Sequence, residues 1–238
     1  DGVWNGLQGA PERFEAIYRT VGLVRQQLGP ETTLLGFAGS PWTVATYMVA
    51  GQGSKDHHAA RALAYRDPGA FQSLIDVIEA ATFDYLLGQI DAGAEAVQLF
   101  DSWAGSLSPA QFERWVIAPN ARLVARIHAA RPGIPVIGFP KGAGAKLPAY
   151  ARETGVDAVG VDETIDPHWI TAQLPAGMPV QGNLDPMLLL AGGEALDAAV
   201  GKICAAFEDR PHVFNLGHGI DKETPIAHVE QLLAVLRG

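Results

Sequence analysis

The sequence predicts an α/β fold built from repeated strand–helix units with parallel strands. Three observations carry this. Helical and strand periods alternate along the 238 residues. The segment Asp91-Ala-Gly-Ala-Glu-Ala-Val-Gln98 is matched by Glu153-Thr-Gly-Val-Asp-Ala-Val-Gly160, and each reads as a helix end, a glycine and a strand start. Every apolar strand also runs into a polar or glycine-rich turn. Such a chain forms a closed βα barrel or an open doubly wound sheet, and repetition of one junction suits both. At this length a single domain over residues 1–238 is expected.

The elements follow in order. Phe14, Ile17, Val21, Val24 and Leu28 recur at helical steps, and Gly29-Pro30 ends that helix. Thr33–Phe37 reads as a buried strand. A polar loop is expected from Gly51 to Asp56. A long helix follows over about residues 71–91, with Leu74, Ile75, Ile78, Tyr85 and Ile90 inward and Gly93 as a left-handed cap. Ala96–Phe100 is the second strand. Ser108-Pro-Ala-Gln111 has the form of a capping box with proline in the first turn, and Pro119 should kink the helix it begins. Further strands are 136–139, 158–161, 179–181 and 213–215, and a last helix covers about residues 225–236. Six strands are too few to close an eight-stranded barrel. The expectation is that two units lie upstream of Asp1 and that the chain is N-terminally incomplete. A six-strand open sheet is the alternative.

Composition narrows the function. The chain is 48% hydrophobic, enough for a large core, and its net charge of −9 is the opposite of a nucleic-acid binder's broad basic footprint. An anionic ligand would need a locally positive site. No apolar run approaches a membrane span's length, and the first residues carry no basic n-region of a signal peptide. Cys204, the single cysteine, allows neither an internal disulfide nor a Cys-based zinc cluster, and a reducing cytoplasm fits.

The turns at the strand ends hold the candidate chemistry, because in a parallel βα fold they gather on one face. His218 stands between Gly217 and Gly219, open to a ligand or simply ordering the last turn. Ser102 follows Asp101 at a strand end. No Gly-x-Ser-x-Gly elbow surrounds it, so a hydroxyl donating to a carboxylate is preferred over a nucleophile. Tyr47 sits in an apolar, aromatic segment, where its ring can pack and its hydroxyl can donate. Asp162 and Asp185 read as caps or turn formers, whereas Asp101 is left open between a structural and a chemical part. His57-His58 reads as a solvated loop. Lys141-Gly-Ala-Gly-Ala-Lys146 lacks the Walker pattern but offers local positive charge.

Six runs occur in one characteristic order: Gly36-Phe-Ala-Gly-Ser-Pro-Trp-Thr-Val-Ala-Thr-Tyr-Met48, Gln98-Leu-Phe-Asp-Ser102, Phe139-Pro-Lys-Gly-Ala-Gly144, Gly155-Val-Asp-Ala-Val-Gly-Val-Asp162, Gln181-Gly-Asn-Leu-Asp-Pro186 and Asn215-Leu-Gly-His-Gly219. In this the chain resembles the uroporphyrinogen decarboxylases over nearly its whole length. The resemblance implies a (β/α)8 barrel, of which about six units are present. It implies decarboxylation of the four acetate side chains of uroporphyrinogen III to coproporphyrinogen III, with no metal and no organic cofactor, in a cytoplasmic homodimer.

It also implies that Tyr47, Ser102 and His218 bind substrate and that Phe100 lines the cleft. The family's arginines and its aspartate for the pyrrole N–H groups match no position here and would lie before Asp1. This segment alone is therefore expected to be inactive and to bind porphyrinogen poorly. Two departures concern the rim: Glu163 stands where many relatives have tryptophan, and Pro140 is not general. The rival readings are a zinc-dependent corrinoid or thiol methyltransferase of the same fold family, and an inactive porphyrin-binding domain.

Overall fold

The structure, a computed structural model, describes residues 10–51 and 56–238. Most of the expected Gly51–Asp56 loop and the first nine residues lie outside them. The chain comprises two compact units, Asp1–Val156 and Asp157–Gly238.

The first unit holds three strands, β1 Leu35–Gly39, β2 Ala96–Asp101 and β3 Val136–Pro140, with helix α1 (Ala10–Gln27) before them. β2 lies between β1 and β3, parallel to both, with Phe37 opposite Gln98 and Phe100 opposite Phe139. Helices α2 (Pro41–Ala50), α3 (His58–Arg66) and α4 (Pro68–Asp91) connect β1 to β2. Asp67 starts α4 by accepting the Ala70 N–H, with Pro68 in the first turn. Gly93 beyond its end takes a φ of +118°, as its place after the helix required.

The helical layer is dominated by rings. Trp42, Phe71 and Trp115 are fully buried, with centroids 5.7 Å and 4.8 Å apart in sequence. Replacing either tryptophan by alanine would cost about 3–5 kcal/mol. Of the inward positions expected on α4, Ile75, Ile78 and Ile90 are buried, while Leu74 and Tyr85 are half-exposed. Two polar side chains join the buried set. Glu79 meets Arg122 at 2.8 Å, and the Gln89 amide exchanges hydrogen bonds with the N–H and C=O of Phe37.

The segment after β2 departs from the expected capping box. Ser108 makes no capping bond, its hydroxyl lies 3.3 Å from that of Tyr65, and Gln111 accepts from the Trp115 indole. Ser108 meets a partner distant in sequence and Gln111 one a single turn along, and the local cap is not made. The helix runs as α5 (Pro109–Phe112), a wide π turn at Glu113–Ile117, and α6 (Ala118–Ala130). The expected disturbance from Pro119 takes this form: proline has no N–H to give the preceding turn, and the turn widens. Asn120 donates its amide back to the Val116 carbonyl at 2.9 Å. Helix α7 (Leu147–Glu153) follows β3.

The second unit repeats the pattern with β4 (Ala158–Gly160), α8 (Pro167–Gln173), β5 (Val180–Leu184), α9 (Pro186–Ala191), α10 (Gly193–Ala206), β6 (His212–Leu216) and α11 (Ile226–Arg237). β5 pairs in parallel with β4 and with β6. Asp166 and Asp185 cap α8 and α9, and Asp162 accepts from the Thr164 N–H, so Asp162 and Asp185 serve the turns as expected. Cys204 lies exposed on α10.

Candidate active site

In the first unit the turns after β1 and β2 are bound to each other. The Ser40 N–H donates to the Phe100 carbonyl at 2.8 Å. The Trp42 indole donates to the Trp103 carbonyl at 3.1 Å, and the Trp103 N–H donates to the Thr43 hydroxyl at 3.3 Å. Thr43 in turn donates to Asp101 at 2.6 Å. The first turn of α2 therefore fixes the backbone on both sides of Ser102.

This brings Tyr47 and Ser102 into one neighbourhood. Tyr47 lies one turn further along α2, 46% exposed, with its ring 6.3 Å from that of Trp103. Its ring packs while its edge stays open. Ser102 is half-buried in the turn. Among the described residues neither hydroxyl makes a hydrogen bond, so both are available to a ligand.

Strand alternation separates two functions on β2. Asp101 turns to the helices, where Thr43 lies. Phe100 turns to the other face, edge-on to Phe37 at 5.9 Å and to Phe139 at 5.8 Å. The three strands thus present an aromatic strip, with Phe37 58% exposed and Phe139 buried.

Asp101 is fully buried. Burial pushes its carboxyl up to about 7, against the opposing pull of the hydrogen bond from Thr43. Tyr150, also fully buried, is pushed up by burial and by Asp101.

His57, expected in a solvated loop, is buried, with its ring 4.5 Å from that of Trp103. Burial lowers its pKa, and its neighbour His58 is the exposed one. The stacking surface comes from a turn distant in sequence, which no local pattern announces. Lys146 is also corrected. Its ammonium donates to the Leu107 carbonyl at 2.7 Å and the Gly105 carbonyl at 3.3 Å, 4.9 Å from the Phe112 ring centroid. It ties two turns together instead of offering free charge to an anion.

In the second unit, His218 lies exposed in the turn after β6. Gly217 precedes it without a positive φ. What requires glycine is a close approach, because a Cβ there would stand 2.2 Å from the Glu163 backbone nitrogen. The turn after β4 is thereby packed against the turn carrying His218. Asn183 reinforces this end by donating to the carbonyls of Asp162 and Ile165. Among the described residues no group of three or more His, Cys, Asp or Glu side chains is placed to hold a metal ion.

The polar set around Asp101 was missed by sequence reasoning as a set. Asn120 and Tyr150 reach it from α6 and α7. Pro119, which opens the turn before Asn120, was the one signal available.

Comparison with known proteins extends these observations. A family model described as Uroporphyrinogen decarboxylase (URO-D) matches residues 5–238. Proteins named uroporphyrinogen decarboxylase from Novosphingobium aromaticivorans and Rhizorhabdus wittichii are 66% and 68% identical to the chain. They cover 100% and 98% of it, and the chain spans 70% and 67% of their lengths. A solved methyltransferase from Methanosarcina mazei superposes with a TM-score of 0.80 at 19% identity, over 94% of this chain and 64% of that one. A B12-independent methionine synthase from a Shewanella species gives 0.62 at 10% identity, over 92% and 64%. These two likenesses concern the fold alone, and with the parallel βα pattern they place it in the (β/α)8 class.

Proposed function

The chain belongs to the uroporphyrinogen decarboxylase family, and on that premise we propose that Tyr47, Ser102 and His218 bind the tetrapyrrole substrate and that Phe100 lines its site. The reaction is the decarboxylation of the four acetate side chains of uroporphyrinogen III, giving coproporphyrinogen III in porphyrin and haem biosynthesis. The zinc methyltransferase reading is not favoured by relatives this similar.

Each decarboxylation replaces a CH2–COO⁻ group by CH3. A proton adds to the pyrrole α-carbon next to the one that bears the acetate, and the positive charge spreads over the acetate-bearing carbon and the ring nitrogen. The bond between methylene and carboxylate breaks, carbon dioxide leaves, and its electron pair neutralises that charge as an exocyclic methylene. A proton on the methylene and loss of the first proton restore the pyrrole. Each turn consumes one proton and releases one carbon dioxide, without oxidant or reductant.

This chain's residues fit the binding side of that chemistry. The Tyr47 and Ser102 hydroxyls can donate to substrate carboxylates, charge-assisted bonds being stronger than neutral ones. The Phe37–Phe100–Phe139 strip offers apolar surface to a macrocycle. His218 can donate from either ring nitrogen, according to its protonation. Holding the substrate where charge develops is the main service of a preorganised site.

The observation that carries the reading is the bonding of the Tyr47 helix to the Ser102 turn, which leaves both hydroxyls open. We further propose that the two units form one barrel domain and that the protein is a cytoplasmic homodimer. No described helix is long and apolar enough to cross a membrane. Tyr47→Phe, Ser102→Ala and His218→Ala in the full-length protein should each lower kcat/KM about tenfold or more, or ~1.4 kcal/mol. Melting midpoints should hold. Three variants with wild-type kinetics would remove these residues from the site.

A further inference from the structure

Asp101 Oδ1 accepts the Thr43 hydroxyl, while Oδ2 has no partner. Asn120, fully buried, faces the carboxyl, but its Nδ2 is committed to the Val116 carbonyl and its Oδ1 has no donor. Tyr150 faces it from α7, with its hydroxyl also unpartnered. Among the described residues no lysine, arginine or histidine pairs with Asp101. An ionised carboxylate here would set two bare acceptor oxygens, Asp101 Oδ2 and Asn120 Oδ1, in a dry interior, at high cost. A proton on Oδ2 removes the charge and turns that bare acceptor into a donor.

We propose that Asp101 is a positioning residue for substrate binding: a neutral, proton-bearing carboxyl that latches the Ser102 turn to the Tyr47 helix through Thr43. The inference rests on the assignment of Tyr47 and Ser102 to substrate binding. Asp101 touches no ligand, since it is sealed on the helical side of β2. It acts through the backbone, because Thr43, its acceptor-bound partner, also receives the Trp103 N–H. The raised carboxyl pKa agrees with the neutral form. The groups facing the carboxyl are the neutral Thr43 and Asn120 and the Tyr150 phenol, none of which is cationic.

The test uses the full-length protein with Asp101→Asn, Asp101→Leu, Ser102→Ala and Tyr47→Phe. A carboxamide is neutral, keeps the acceptor for Thr43 and places a donor where the protonated Oδ2 stands. Asp101→Asn should therefore keep kcat and KM within about twofold, a shift well under 1 kcal/mol. Asp101→Leu removes the bond to Thr43 and should raise KM about tenfold or more, ~1.4 kcal/mol, with a smaller change in kcat. Infrared spectra below pH 7 should show a protonated-carboxyl band that Asp101→Asn lacks. A tenfold loss in folded Asp101→Asn, or absence of the band, overturns the neutral latch. An unchanged KM in folded Asp101→Leu overturns the positioning role, and should that variant fail to fold, Thr43→Val answers the same question. If Ser102→Ala and Tyr47→Phe leave KM untouched, the binding assignment has failed instead, and the infrared band still decides the protonation.

Discussion

Thr43 donates its hydroxyl to Asp101 at 2.6 Å, joining the first turn of α2 to the last residue of β2 within the buried interior. Thr43→Val keeps the shape but removes a donor from Asp101 and an acceptor from the Trp103 N–H. Because buried partners are left unsatisfied, the loss should be about 1–3 kcal/mol. Urea unfolding of the full-length protein checks this, and Thr43→Ser should recover most of it.

Asp101 should also give stability a pH signature. Its carboxyl sits at about 7 in the fold against an ordinary 3.8, so between those values the folded chain holds a proton that the unfolded chain has released. The stabilisation from this group is complete below pH 3.8 and is lost as the pH rises toward 7. The slope is about 1.4 kcal/mol per pH unit and vanishes once both states are ionised. Asp101→Asn removes the titration. The unfolding free energy of wild type minus that of the variant should fall across this window and then level. A difference that is flat with pH counts against it.

Glu79 is a buried carboxylate whose near partner, Arg122, is half-exposed at 2.8 Å, while Arg126 stands at 3.9 Å. Arg122→Met should cost roughly 1–3 kcal/mol, less than a fully buried pair because water reaches the arginine side. Arg126→Met should cost clearly less. Adding Glu79→Leu to Arg122→Met should restore stability, since it removes the stranded charge. Denaturant midpoints of the two single variants and the double variant measure all three.

Gly217→Ala is the sharpest steric probe of the second unit. The added Cβ would stand 2.2 Å from the Glu163 nitrogen, a backbone atom that cannot turn aside. The turn must shift and carry His218 with it. The kinetic loss should match or exceed that of His218→Ala. Gly219→Ala, where a Cβ meets nothing within 4 Å, should be mild.

Much of the fold was legible because its signals are local. The apolar run at Ala96–Phe100 became β2, and the glycine at 93 took positive φ because a strand had to start at once after α4. Ser102 and His218 lie where expected, in the turns after β2 and β6, while the apolar, aromatic segment of Tyr47, for which no element was read, forms α2. What was illegible depends on partners distant in sequence. Ser108 gave up its cap for Tyr65, His57 left solvent for Trp103, and Lys146 spent its charge on two carbonyls. Asp101 shows the limit best. A strand-end aspartate looks alike whether it caps, reacts or holds a buried proton, and only Asn120 and Tyr150 distinguish these.

The most direct measurement supplies uroporphyrinogen III anaerobically to the full-length protein, with no added metal or cofactor, and follows carbon dioxide and the porphyrins recovered after oxidation. The account predicts four carbon dioxide molecules per substrate and coproporphyrin as the product, with turnover collapsing in the Tyr47→Phe, Ser102→Ala, His218→Ala triple variant. Recovery of unaltered uroporphyrin, or a triple variant as fast as wild type, would contradict it.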